Sequence, residues 1–164
     1  MDKRTALFLD IDGVLHRGAT YVNSTGIVTS SPGVIKLFEF APVLEDVLRP
    51  FPAIEVVFSS DWAFRFGAAQ TRRMLPSESL QNRVTGATFE GCEFNEQFWP
   101  MLKRGEQVLD YVRRHSLVEW LAIDDRKDGF ESCMDRLVLC QAEVGLGDDA
   151  VVTRLRNKLS EMSR

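Results

Sequence analysis

Thr5-Ala6-Leu7-Phe8-Leu9-Asp10-Ile11-Asp12-Gly13-Val14-Leu15-His16 is the stretch on which the fold turns. Thr5 to Leu9 is short and apolar, has no polar alternation, and runs straight into acid. Such a run, bounded by turn residues, suits a strand buried on both faces of a parallel sheet. The pattern returns twice. Ile54-Glu-Val-Val-Phe58 leads into Ser59-Ser60-Asp61, and Trp120-Leu-Ala-Ile123 leads into Asp124-Asp125. Leu137 to Cys140 reads as a further strand, and Ala87-Thr-Phe89 as another.

Helical signals fill the intervals. Ser31-Pro32 predicts a helix start with Pro in the first turn. Pro42 predicts a break, then a helix over about 43–48. Trp62 to Leu75 reads as helix with Gly67 as its weak point. Ser77 caps a short turn before Arg83-Val84, and 90–100 is an acidic, aromatic loop. In Arg104 to His115, Val108, Leu109 and Val112 fall on one face. Asp148 caps a last helix whose face is Val151, Val152, Leu155, Leu159 and Met162. Ala19 to Val22 and Ile27 to Thr29 flank Asn23-Ser-Thr-Gly26, the pattern of a small hairpin flap within about 14–31. Alternating strand and helix predict an α/β fold: a doubly wound, mainly parallel sheet in one domain over 1–164, with a minimal cap or flap.

Composition sets the bounds. A chain of 164 residues buries roughly 69% of its extended-chain surface on folding, enough for a core without staples. With 45% hydrophobic and 27% charged residues, disorder is excluded. A net charge of −4 disfavours strong nonspecific nucleic-acid binding; Arg65, Arg72 and Arg73 read as a solvated helix face. The longest apolar run is four residues, too short to span a membrane. Met1-Asp2-Lys3-Arg4 lacks an apolar leader, so a cytoplasmic location is expected. Three cysteines without a CxxC pair fit a reducing compartment and small buried thiols.

In open α/β sheets the ligand crevice lies outside the carboxyl ends of the strands. That rule brings Asp10, Asp12, Asp124 and Asp125 together, and four unpaired carboxylates repel. A hard divalent cation such as Mg²⁺ resolves the repulsion. Asp10 then suits a nucleophile at phosphorus. Asp12, two residues on and beyond the strand, suits acid/base work on the leaving oxygen and the attacking water. Ser59 offers a hydroxyl to phosphate oxygens, and Gly13 and Ser60 add backbone around it. Arg104 or Lys103, at a helix start, supplies the balancing positive charge. His16 reads as an exposed loop histidine and His115 as a helix-end residue. Trp62, Phe64, Trp99 and Trp120 read as core, with Trp62 or Trp99 as an alternative pocket mouth.

Asp10-Ile11-Asp12-Gly13-Val14 resembles the first motif, DxDG(V/T), of the haloacid dehalogenase (HAD) superfamily of phosphatases. Phe58-Ser59 is similar to its second, Arg104 or Lys103 to its basic third, and Ile123-Asp124-Asp125 to its fourth, in family order. The Asp10 to His16 start and Ser60-Asp61-Trp62 also resemble small HAD-type domains named for RNA-repair proteins. The resemblance implies a Mg²⁺ cofactor and an aspartyl-phosphate intermediate. It makes Asp10 nucleophile and metal ligand, and Asp12 acid/base with its backbone carbonyl on the metal. Asp125, with Asp124, completes the metal site. Ser59 or Ser60 carries the second motif, Ser59 following the apolar run directly; Arg104 fits the helix spacing better than Lys103. The expected function is a Mg²⁺-dependent phosphoester hydrolase acting on a phosphorylated small molecule or nucleic-acid end. The competing expectation is a non-catalytic phospho-acceptor or Mg²⁺/phosphate-binding module of similar fold.

Overall fold

The computed structural model describes residues 4–94 and 96–164. The leader reading at 1–3, and Asn95 of the acidic loop, lie outside them. Chain order is β1 (Thr5–Leu9), β2 (Thr20–Asn23), β3 (Gly26–Thr29), α1 (Ala41–Leu48), β4 (Ile54–Phe58), α2 (Asp61–Phe66), α3 (Ala68–Met74), α4 (Glu78–Arg83) and β5 (Val84–Ala87). It continues with α5 (Arg104–Arg114), β6 (Glu119–Asp124), β7 (Leu137–Leu139) and α6 (Asp149–Met162). The main sheet runs β5-β4-β1-β6-β7, with every neighbouring pair parallel. β2 and β3 form a separate antiparallel hairpin, the flap.

The inner strands β1, β4 and β6 are buried on both faces, and their side chains alternate between two cores. Leu7 and Leu9 of β1 pack in the larger one, with Leu44 and Val47 of α1 and Leu155 and Leu159 of α6. Ala6 and Phe8 point the other way, to Val108 and Tyr111 of α5 and to Trp120. Phe8 meets Tyr111 and Trp120 edge-on at 5.6 and 5.8 Å, the arrangement that ring quadrupoles favour. Trp62, Trp99 and Trp120 are all buried.

Several expectations need correction. No helix starts at Ser31-Pro32: one turn forms there, with Val34 and Ile35 N–H bonding Ser31 C=O. Gly33 (φ +86°) and Phe38 (φ +56°) are left-handed and stop it from propagating. Pro42 does not break a helix; it sits in the first turn of α1, where its missing N–H costs nothing. The strand expected at 87–89 lies at Val84–Ala87, because Ala87 pairs with Phe58, the last residue of β4. Gly67, at φ +81°, divides the helix after β4 into α2 and α3. Of the cysteines only Cys140 is buried; Cys92 and Cys133 are partly exposed.

Candidate active site at the carboxyl edge of the sheet

Register builds the site. Leu9 pairs with Phe58 on one side and Ile123 on the other. The next residues, Asp10, Ser59 and Asp124, therefore emerge side by side from three adjacent strands, spaced by the strand separation of about 4.8 Å. Backbone bonds carry the pairing through this edge: Asp10 N–H to Ile123 C=O at 3.2 Å, and Ser59 N–H to Leu9 C=O at 3.0 Å.

Asp10, Asp124 and Asp125 each present a carboxylate oxygen, and the three oxygens lie within 4.8 Å of one another. Asp10 and Asp124 are buried. Burial, with Asp124 adding to it, pushes the Asp10 carboxyl well above its usual range, against the pull of Arg104. Burial likewise raises Asp124 to about 7. Gly13 permits the crowding. Its backbone is left-handed (φ +73°), and a Cβ there would sit 2.4 Å from Asp125 Oδ2.

Arg104, 3% exposed, is the buried cation of the site. Its Nη2 lies 3.8 Å from Asp10 Oδ1 and 3.5 Å from Asp61 Oδ1, and its Nε lies 3.2 Å from Asp124 Oδ2. The last pair attracts without being aligned as a hydrogen bond. Arg104 Nε, Asp124 Oδ2 and Ser59 Oγ are all buried without a hydrogen-bond partner among the described residues. Buried polar atoms are rarely left so, and here three lie around one site. Hard oxygen donors with an unsatisfied buried carboxylate oxygen fit a divalent cation such as Mg²⁺. Lys103, by contrast, is exposed and is the residue preceding α5, its N–H bonded to Glu106.

The loop after β6 anchors Arg104. Asp128 accepts from Arg104 N–H at 3.1 Å, and its C=O accepts from Gly105 N–H at 2.8 Å. Arg126 grips Asp128 with two bonds (3.0 and 2.7 Å), which brings the Asp128 carboxyl down to about 2. A Cβ on Gly105 would fall 2.1 Å from the Gly129 backbone, so α5 docks on this loop only because both residues are glycine. Gln107 Oε1 accepts from Arg104 Nη1 at 3.4 Å, while its Nε2 donates to Trp99 C=O.

Asp12 behaves differently from the other three acids. It borders the same cleft, a space of about 160 Å³ also lined by Asp10, Ser60, Asp61, Arg104, Asp125 and Arg126. Its carboxylate, however, is held by His16 Nε2 (2.9 Å), Thr20 Oγ1 (2.8 Å) and Trp62 Nε1 (3.1 Å). Burial would raise the Asp12 carboxyl, but the bonds from His16 and Thr20 outweigh it and hold the group below its usual value. The acidic cluster is therefore three carboxylates, with the fourth turned to its own donors. His16 is not exposed: it is fully buried, accepts Phe38 N–H at Nδ1 (3.3 Å), and so donates to Asp12 from Nε2. The two serines also differ. Ser60 Oγ accepts from Trp62 N–H at the start of α2, and Ser59 Oγ remains unpartnered among the described residues.

Sequence reasoning missed Asp61, Gln107, Arg126, Asp128 and the donor roles of His16, Thr20 and Trp62. The spacing Arg126-x-Asp128-Gly129 after an acidic strand end was a usable signal for the anchor. Nothing local to His16 signals its burial, which comes from Phe38 and Trp62 packing around it at 5.9 and 6.2 Å.

The family described as "HAD domain in Swiss Army Knife RNA repair proteins" matches residues 6–151, from β1 into the first turn of α6. The chain belongs to this family. HAD domains are generally hydrolases and typically use Mg²⁺, and the buried aspartates of this member can hold a metal. No curated protein matches the chain. Among the described residues, no helix is long and apolar enough to cross a membrane.

Proposed function

We propose that this HAD domain is a Mg²⁺-dependent phosphomonoester hydrolase that works through Asp10. The supporting observation is the set of unpartnered buried atoms, Ser59 Oγ, Arg104 Nε and Asp124 Oδ2, around Asp10. Such atoms await a ligand that brings both phosphate oxygens and a cation. Asp10, Asp124 and Asp125 would hold Mg²⁺, with the Asp12 backbone carbonyl as a further donor. When bound, the ion supplies positive charge to the phosphate oxygens.

An Asp10 oxygen attacks phosphorus, the bond to the leaving oxygen breaks, and Asp10 carries the phosphoryl group. Ser59 Oγ–H donates to a phosphate oxygen, and Arg104 balances the charge from its buried position. In the first half the minor protonated form of Asp12 gives its proton to the leaving oxygen; opposite the ionised form that oxygen leaves as an anion and is protonated by water. In the second half ionised Asp12 takes a proton from water, which attacks phosphorus and releases inorganic phosphate with Asp10 restored. The ionised state in which His16, Thr20 and Trp62 hold Asp12 suits the second half. Leaving groups that depart as stable anions need the first least, so aryl phosphates are the most sensitive assay. The small flap leaves the cleft open to bulky esters, and the family's association with RNA repair proteins makes a phosphorylated nucleic-acid end a natural substrate.

The three donors occupying Asp12 favour one alternative: a phospho-acceptor that keeps its acyl phosphate. Turnover of p-nitrophenyl phosphate in Mg²⁺ separates the two readings. The hydrolase gives many turnovers, loses them to chelator, and falls by about 10³-fold or more in Asp10→Asn. A single stoichiometric release of nitrophenol would establish the acceptor. Turnover unchanged in Asp10→Asn would falsify the nucleophile assignment.

A further inference from the structure

A second recess opens beside the catalytic cleft, between the flap and α2. It holds about 170 Å³, room for roughly six waters at about 30 Å³ each, or for one planar ring system. It is continuous with the cleft in its lining, because Asp12 and Asp61 border both. At the shared rim stands Asp61, whose side chain is 74% exposed and can accept hydrogen bonds. Its apolar walls are Val22 and Ile27 from the two flap strands and Phe66 from α2. Arg65 also lines the recess, its guanidinium 5.9 Å from the centre of the Phe66 ring. Arg65 forms no ion pair among the described residues, whereas Arg17, Arg104 and Arg126 each face a carboxylate.

A hydroxyl acceptor, an apolar wall and a cation without a carboxylate partner among the described residues, side by side next to a phosphate site, are the partners that the sugar, base and second phosphate of a nucleotide need. We propose that this recess is a subsite for the nucleoside attached to the scissile phosphate. Its sugar hydroxyls donate to Asp61, its base lies against Val22, Ile27 and Phe66, and Arg65 takes the neighbouring phosphate. The inference rests on the hydrolase reading for the position of the scissile phosphate; the recess itself stands on the residues just named. A nucleoside bisphosphate and a strand end share this chemistry, so the substrates must separate them.

The test uses Asp10→Asn in Mg²⁺ to measure binding without turnover, by calorimetry, and the unmodified chain to measure kcat/KM. Ligands are glycerol phosphate, the adenosine 3′- and 5′-monophosphates, adenosine 3′,5′-bisphosphate, and diadenylates phosphorylated at either end. The expected result is a preference for adenosine ligands over glycerol phosphate. Arg65→Ala lowers the preference for ligands with a second phosphate by about tenfold, the loss of one charged hydrogen bond. Val22→Asp, on the exposed flap, lowers the preference for every adenosine ligand. A diadenylate bound better than the bisphosphate assigns the subsite to strand ends; equal binding assigns it to free nucleotides. Absence of any adenosine preference, or a preference untouched by both substitutions, overturns the subsite. Hydrolysis of aryl phosphate without adenosine preference removes the subsite and leaves the hydrolase. Preferential adenosine binding with no ester turned over removes the hydrolase and leaves the subsite.

Discussion

Two arginines of this domain, Arg83 half-buried and Arg104 buried, live opposite lives. Arg83, at the end of α4, donates to three backbone carbonyls: Phe51 and Ile54 through Nη1, Leu48 through Nη2, at 2.8–3.1 Å. It staples the end of α1 to the start of β4. Arg104 is more deeply buried and worse bonded. It faces Asp10, Asp61 and Asp124 at 3.2–3.8 Å, and its Nε has no hydrogen-bond partner among the described residues. A charge whose donors reach backbone carbonyls from several elements holds a structure together. One left under-bonded among like-charged acids is held for something that is to arrive.

The sharpest way to break the contrast is to exchange each arginine for methionine, which keeps length and removes charge. Arg104→Met should lower kcat/KM by about 10²–10³-fold, the scale of losing one preorganised charge donor at a phosphoryl site. Arg83→Met should instead cost about 1–3 kcal/mol of stability, through carbonyls left without donors, with kcat/KM per folded molecule retained. Denaturant melts and steady-state kinetics on both variants read the two effects. An Arg83 variant that is folded but inactive would erase the distinction.

Acidity sharpens it next. Burial holds Asp10 and Asp124 above their ordinary values, so the folded chain keeps protons the unfolded chain has released. The associated stability is complete below the reference value of 3.8 and is lost as pH rises through about 7. With chelator present, melting at pH 8 should therefore show a loss on the order of 2 kcal/mol relative to pH 5. Saturating Mg²⁺ should restore it at pH 8, by about 2.7 kcal/mol at a hundredfold excess over Kd. A chelated protein equally stable at both pH values would show that the acids are not forced together.

The smallest effect belongs to Gly13→Ala. Its left-handed backbone alone costs an added Cβ about 1–2 kcal/mol, and the Cβ would also displace Asp125. Reduced stability together with weaker Mg²⁺ stabilisation is expected in thermal melts. Loss of stability alone would place Asp125 outside the metal set.

The sheet was legible because buried parallel strands announce themselves: Ala6 to Leu9, Val56 to Phe58 and Leu121 to Ile123 are apolar on both faces, and each runs into polar residues at the same edge. The pairing of Leu9 with both Phe58 and Ile123 turns that one-dimensional pattern into proximity. The choice of Arg104 over Lys103 was also readable, since only Arg104 is in phase with the buried Val108. What escaped was tertiary. Residues 31–40 carry a helix-start signal that left-handed Gly33 and Phe38 override. His16 has no local sign of burial, and the donors that reach Asp12 come from positions 16, 20 and 62, joined only by packing. Arg65 read as a solvated helix face, and it is exposed; its place beside the flap is invisible until the hairpin folds over α2.

The contact of Gly105 with the Gly129 backbone has a practical reach. With no space for even a methyl group between them, the stretch carrying Arg104 and the stretch carrying Asp124 and Asp125 must travel as one piece. Anyone wishing to retarget this protein should therefore leave that seam alone and redesign the opposite bank, residues 21–29 and 63–66, sparing Thr20 and Trp62, which bond Asp12, and Asp61, which faces Arg104.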